Sequence, residues 1–168
     1  MSLILQSSGG GSVTIQEPST ASNLTATLPA ATGTVMVSGN MPAFSAVPST
    51  QAYTSNTWTK VALNTEEFDT NNNFDSTTNY RFTPTVAGYY QFNGYIETSG
   101  ATFVQTAIYK NGSLFKTTQQ TTSAYGTTIA VVMFMNGSTD YVELYGFMTL
   151  SSNILNTSNF SGAMVRGA

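Results

Sequence analysis

The stretch Phe82 to Ile96, FTPTVAGYYQFNGYI, constrains this chain more than any other. From Gly88 onward Tyr90, Phe92, Gly94 and Ile96 fall on one face of an extended segment, and Tyr89, Gln91, Asn93 and Tyr95 on the other. A strand of a one-sided sheet sets apolar against charged positions. Here the second face carries two tyrosines and two amides, with no charge before Glu97. Such a face meets another protein surface, because aromatic rings with polar tips suit interfaces.

The rest of the composition also points to β structure. Only 8% of residues are charged against 40% hydrophobic, and about a third are Ser, Thr or Asn. Thr, Tyr, Phe and Val fit a pleated surface, and the Ala-Glu-Lys-Leu stretches that favour helix are missing, so no helix longer than a turn is expected. The net charge is -3, and Lys60, Arg81, Lys110, Lys116 and Arg166 are scattered, so no basic stripe exists to neutralise phosphates and nucleic-acid binding is not expected. The chain has no cysteine, which removes disulfides and thiolate zinc sites and leaves stability to packing or partner subunits. Its start, MSLILQSSGGG, reads as neither a secretory signal nor a membrane span.

Two regions are expected: an N-terminal arm over 1–39 and a knob over 40–168. The arm has no aromatic residue, and four short extended pieces (Leu3-Ile4-Leu5, Val13-Thr14-Ile15, Leu24 to Leu28, Val35-Met36-Val37) are separated by Gly, Ser and Pro turns. Four such strands close no core alone, so the arm is expected to be ordered by docking, on sister subunits or on a larger assembly; the alternative is a flexible tether, as its Gly/Ser content alone would suggest. Leu3, Ile4, Leu5, Val13, Ile15, Leu24 and Leu28 are its candidate anchors. In the knob, strands are expected over Pro42 to Val47, Trp58 to Asn64, Tyr80 to Phe82, 88–98, Thr102 to Tyr109, Ser113 to Gln119, Gly126 to Met135, Asp140 to Met148 and Asn159 to Val165. An acidic, Asn-rich loop fills Glu66 to Asn79, and Asn111-Gly112 is the strongest hairpin signal. About ten short strands with frequent turns indicate a sandwich or jelly roll. In Ile129 to Met135 both alternating faces are apolar, so burial on both sides is expected, with a neighbouring subunit supplying the second cover or, as the alternative, a long loop of the same chain.

Phe82, five residues, then Gly88-Tyr89-Tyr90-Gln91-Phe92 resembles the F-x5-G-x-Y-x-F signature of the complement one-q globular head, a jelly-roll relative of tumour necrosis factor. Ala43-Phe44-Ser45-Ala46 resembles that family's first strand, Trp58-Thr59-Lys60-Val61 its second, and Asn159 to Val165 its closing F-S-G strand, over about residues 41 to 168. Gly94 stands where the family usually has an aromatic. The resemblance implies an all-β, ten-stranded, two-sheet jelly roll that assembles as a homotrimer, the strands matching 88–98 and 126–136 lying near the threefold axis. It places Phe44, Trp58, Phe74, Phe82, Tyr90, Phe92 and Phe160 in the core, and Tyr89, Gln91, Tyr95, Val132 and Phe134 at the trimer interface. The N-terminal stretch, with Leu-Thr-Ala-Thr-Leu-Pro-Ala-Ala-Thr-Gly-Thr, is similar to segments of tailed-bacteriophage structural proteins, which implies a virion setting.

Little chemistry is on offer. With no His and no Cys the usual general base, thiol nucleophile and imidazole metal sites are excluded. Glu66, Glu67, Asp69 and Asp75 cluster, but in one loop rather than across a cleft, and read as a solvated surface. Asp69, Asn71, Asn73 and Asp75 have the alternate spacing of oxygen ligands in a calcium loop, weakly, because Phe74 stands where a Gly belongs and Tyr80 where a bidentate Glu belongs. No cofactor is expected. The reading is a non-enzymatic phage virion protein, made in the host cytoplasm without a signal peptide and displayed on the particle. Its knob is held by the arm as a capsid decoration (cement) protein or head fibre. The alternative is a tail-fibre tip or adhesin in which loops 66–79 and 149–158 recognise a host glycan or protein.

Overall fold

The alternation along the opening stretch becomes a ten-residue strand, Gly88–Glu97, whose even positions are buried and whose odd positions are exposed or half-buried. The computed structural model describes residues 3–16, 19, 22, 25, 27, 30, 35–100, 103–118 and 125–168. It divides into two units, Met1–Gly33 and Thr34–Ala168.

In the first unit, β1 (Leu3–Gln6) and β2 (Ser12–Ile15) pair antiparallel, Leu3 opposite Ile15 and Leu5 opposite Val13. The turn between them closes through Ser7 N–H to Gly11 O at 2.8 Å and Gly10 N–H to Ser7 O at 3.1 Å. Gly10 takes a φ of 87°, a conformation that favours glycine. Leu24 and Leu28 lie outside the described residues.

The second unit starts differently from expectation. Residues 35–37 are not a strand, because the Asn40 side chain accepts the Val37 N–H at 2.8 Å and turns the chain into a 3-10 helix at Ser38–Asn40. The strands follow in order: β3 (Ala43–Val47), β4 (Gln51–Tyr53), β5 (Thr59–Lys60), β6 (Thr65–Asp69), β7 (Phe74–Asp75), β8 (Arg81–Phe82), β9 (Gly88–Glu97), β10 (Val104–Lys110), β11 (Ser113–Thr117), β12 (Gly126–Met135), β13 (Val142–Met148), β14 (Ser152–Ile154) and β15 (Asn159–Gly167). A five-stranded sheet runs β12-β9-β15-β3-β6, and a six-stranded sheet runs β11-β10-β13-β8-β7 with β5 also on β13. β4 and β14 pair separately. All described pairings are antiparallel, and the two larger sheets form a jelly-roll sandwich.

Four of these strands were not expected. β6 and β7 lie inside the stretch read as a loop, where β6 pairs with β3 and β7 with β8. β4 and β14 are three residues each, and β4 is fixed by the Tyr53 hydroxyl, which donates to Gly146 O at 3.0 Å and accepts from Met148 N–H at 3.1 Å. Conversely, the strand expected over Trp58 to Asn64 shrinks to Thr59–Lys60.

The core between the sheets is aromatic. Phe44 stacks on Phe82 at 4.4 Å and on Phe74 at 4.9 Å and meets Phe160 edge-on at 5.2 Å. Phe82, Tyr90, Phe92 and Phe160 are all fully buried. Trp58 is the exception among the expected core residues. Lys60 pairs with Tyr145 on the outward side of β13, so Trp58, two residues earlier, also points outward, leaving the interior to Val61 and Leu63. Trp58 is therefore half-buried on the outside of the six-stranded sheet.

Gly94 marks a close approach. A Cβ there would lie 2.5 Å from Leu144 Cδ1 and 3.2 Å from Ile129 Cγ2. Leu144 reaches across from the opposite sheet into the space beside Gly94.

Candidate functional site

The outer face of the five-stranded sheet is built by three strands in register. β12 lies beside β9 with Phe134 opposite Tyr89, Val132 opposite Gln91, Ala130 opposite Asn93 and Thr128 opposite Tyr95. On the other side of β9, β15 sets Ala163 against Gln91 and Ser161 against Asn93. The inward positions Ile129, Met133 and Met135 are buried, so within one chain the two apolar faces of β12 are covered on one side only. Val132 is 52% exposed, Phe134 and Tyr89 43% each and Val165 55%. Those values decide the character of the face: large apolar side chains stand in water on a strand whose other side is already core.

At one end Tyr89 and Phe134 meet edge-on at 5.5 Å, forming an aromatic ridge. In the middle the face is flat and uncharged: Gln91, Asn93, Ala130, Ser161 and Ala163. Tyr95 lies toward the opposite end and is half-buried by its own chain, its ring meeting the position where Gly126 would carry a Cβ at 2.8 Å. That burial, with the charge of Glu97 beside it, raises the pKa of its hydroxyl. Of the residues assigned to a subunit interface, Tyr89, Gln91, Val132 and Phe134 share the flat surface and the ridge, while Tyr95 borders it.

The Asn-rich segment 69–79 is organised as turns. Asp69 accepts the N–H groups of Asn71 (3.2 Å) and Phe74 (2.7 Å). Asp75 accepts those of Thr77, Thr78 and Asn79, together with the Asn79 side-chain amide at 2.7 Å. Hydrogen bonds from Thr78 and then Asn79 hold the Asp75 carboxyl well below the usual carboxylate range. Asn73 is buried and bonds Asn71 O and Thr85. Their oxygens satisfy backbone donors, and among the described residues no group of three acidic side chains could hold a metal ion. Beside this segment lies an open polar depression of about 500 Å³ bordered by Glu66, Asp75, Thr77, Arg81 and Thr85. The other expected recognition loop, 149–158, is partly strand: β14 pairs with β4, Ser152 opposite Tyr53.

An aromatic row lies on the outer face of the six-stranded sheet, and alternation along β10 and β13 could have shown Tyr109, Tyr145 and Phe147 to share that face. Trp58 lies 5.4 Å from Phe147 and 6.1 Å from Tyr109, which stacks on Tyr145 at 3.9 Å. These four rings are half-buried. The nearby charges face each other: Lys60 Nζ lies 2.5 Å from the buried Glu143 carboxylate.

The expected anchors on the first unit form a two-sided ribbon. Leu3, Leu5, Val13 and Ile15 occupy one face of the β1–β2 hairpin and Ile4 the other, all more than half exposed.

No family model matches the chain, and no curated protein matches it. Solved structures do. The globular domain of zebrafish complement 1qA protein aligns with a TM-score of 0.56 at 18% identity, over 76% of this chain and 99% of that one. Murine APRIL aligns at 0.60 and 10% identity, over 74% and 99%. The PRD1 vertex protein P5 aligns at 0.57 and 14% identity, over 76% and 97%. The chain has the complement one-q/tumour necrosis factor-like jelly-roll fold.

Proposed function

We propose that this chain is a non-enzymatic virion structural protein of a tailed bacteriophage. Its knob associates as a homotrimer through the outer face of the five-stranded sheet, and its N-terminal unit holds it to the particle, as a capsid decoration protein or head fibre. The observation that carries the proposal is that face: a surface with an uncharged centre, a Tyr89–Phe134 ridge and a half-exposed Val132, with Arg166 opposite Tyr89 and Glu97 beyond Tyr95 at its ends, on a chain whose core is complete without it. The fold shared with a PRD1 vertex protein and the phage-like N-terminal sequence support the setting. A trimer bound only to the assembled shell would stabilise it, since any ligand of the assembled state shifts the equilibrium toward assembly.

Met36 packs against the core of the second unit, so the deletion used for the test is 2–33. The truncated chain is expected to be a soluble trimer by light scattering that no longer enters particles. Normal incorporation of the truncated chain would remove the assigned role of the N-terminal unit.

A second reading, a tail-fibre tip or adhesin, is favoured by the aromatic row around Trp58, since neutral sugar rings stack on such surfaces. Saturable binding of the isolated knob to host cells, lost on Trp58→Ala, supports it, and absence of binding rejects it.

A further inference from the structure

The β1–β2 hairpin carries more apolar surface than a ribbon of its size can leave in water. Leu3 opposes Ile15 and Leu5 opposes Val13, so these four aliphatic side chains form one continuous face. They are 53% to 63% exposed. The reverse face carries Gln6, Ser12 and Thr14 with only Ile4 as a large apolar residue, and residues 3–16 contain no charge. A lone two-stranded hairpin is marginal in water, so its apolar face needs a cover.

We infer that the cover is the same face of the hairpins of sister chains: the three ribbons of a trimer pack together, Leu3, Leu5, Val13 and Ile15 inward. This rests on the trimer proposed above. Three observations select sister chains over an outside partner. An uncharged aliphatic face is complementary to itself and offers no charge for a charged partner to read. Only one face is apolar, so three copies around a threefold axis close the contact and leave the polar side in water. Residues 17–34, eighteen in all, span at most about 60 Å, which ties each hairpin to its trimer. Such tethering holds sister hairpins at roughly millimolar effective concentration. The particle would then meet one three-ribbon unit through the side bearing Ile4, Gln6, Ser12 and Thr14.

The absence of cysteine provides the test. Leu5→Cys and Val13→Cys place thiols on the inward face, and Ile4→Cys places one on the reverse face. Under mild oxidation of the full chain, free of particles, the inward variants are expected to form covalent dimers in up to two of every three chains. The yield should be independent of protein concentration and at least ten times that of Ile4→Cys, because a disulfide needs Cα atoms within about 7 Å. Equal yields at inward and reverse positions overturn the inference, as does a trimeric mass with no inward cross-link. A monomeric mass by light scattering removes the trimer reading, and the hairpin inference with it.

Discussion

Tyr90 is fully buried, and its hydroxyl donates to the Val86 carbonyl at 2.8 Å. Burial pushes its pKa up to about 12. The folded protein therefore holds this proton more tightly than the unfolded chain, whose tyrosines ionise near 10. The stability that depends on it is complete below about pH 10 and is lost as pH rises toward about 12. Tyr145, also raised to about 12 by burial and by the charge of Glu143, acts in the same direction. Tyr90→Phe is expected to cost about 1 kcal/mol at pH 7 through the lost hydrogen bond. It should also weaken the decline of unfolding free energy between pH 10 and 12, measured in urea. An unchanged alkaline decline would assign the effect to other tyrosines. The face of Tyr90 was legible in the sequence because a ten-residue alternation leaves one consistent parity. That of Trp58 was not: it precedes a strand of only two residues, too short for a period to show, and only the pairing of Lys60 with Tyr145 reveals the outward direction.

The two Asn-Gly pairs show the same limit for turns. Asn111 and Gly112 both have positive φ, 53° and 75°, and join β10 to β11 as the hairpin their sequence announces. At the second pair only Gly137 has positive φ, 71°, while Asn136 accepts the N–H groups of Ser138, Thr139 and Asp140 at 3.0 Å each. That is a side-chain-closed turn. Lys110 and Asn111 reach it through Asp140, at 2.9 and 2.8 Å. A Cβ on Gly137 would lie 2.3 Å from the Ala87 backbone nitrogen, whereas one on Gly112 would meet only the Tyr141 hydroxyl, at 3.3 Å. Gly112→Ala is thus expected to cost about 1 kcal/mol of backbone strain. Gly137→Ala adds a backbone overlap, for about 3 kcal/mol or more. Thermal melts of the two variants should separate clearly, and equal shifts would mean that the Ala87 backbone yields freely. Long strands such as β9 and β12 could be read from sequence, whereas β4, β6, β7 and β14 could not. Those four are two to five residues long, and backbone pairing or a single hydroxyl fixes them rather than periodicity.

For the whole molecule, the sequence suggested an interface because β12 looked apolar on both sides, and the structure locates which side is left over. Ile129, Met133 and Met135 complete the chain's own core, and Val132 and Phe134 do not contribute to it. The interface can therefore be tested without damaging the fold. Tyr95 is a poor position for that purpose, since its ring already packs against the start of β12 in its own chain. Val132 stands opposite Gln91 in the uncharged centre of the face and is 52% exposed in the single chain. Val132→Glu would cost a monomer little, because the carboxylate stays in water. In a trimer packed on this face the same carboxylate leaves water among neutral side chains, with Arg166 only at the edge opposite Tyr89, a cost of several kcal/mol in each subunit. The variant is expected to keep the β-sheet circular dichroism of the wild type, to melt below the wild-type trimer, and to run as a folded monomer by light scattering. Full trimer mass at micromolar concentration would return this face to solvent and require another surface to join the subunits.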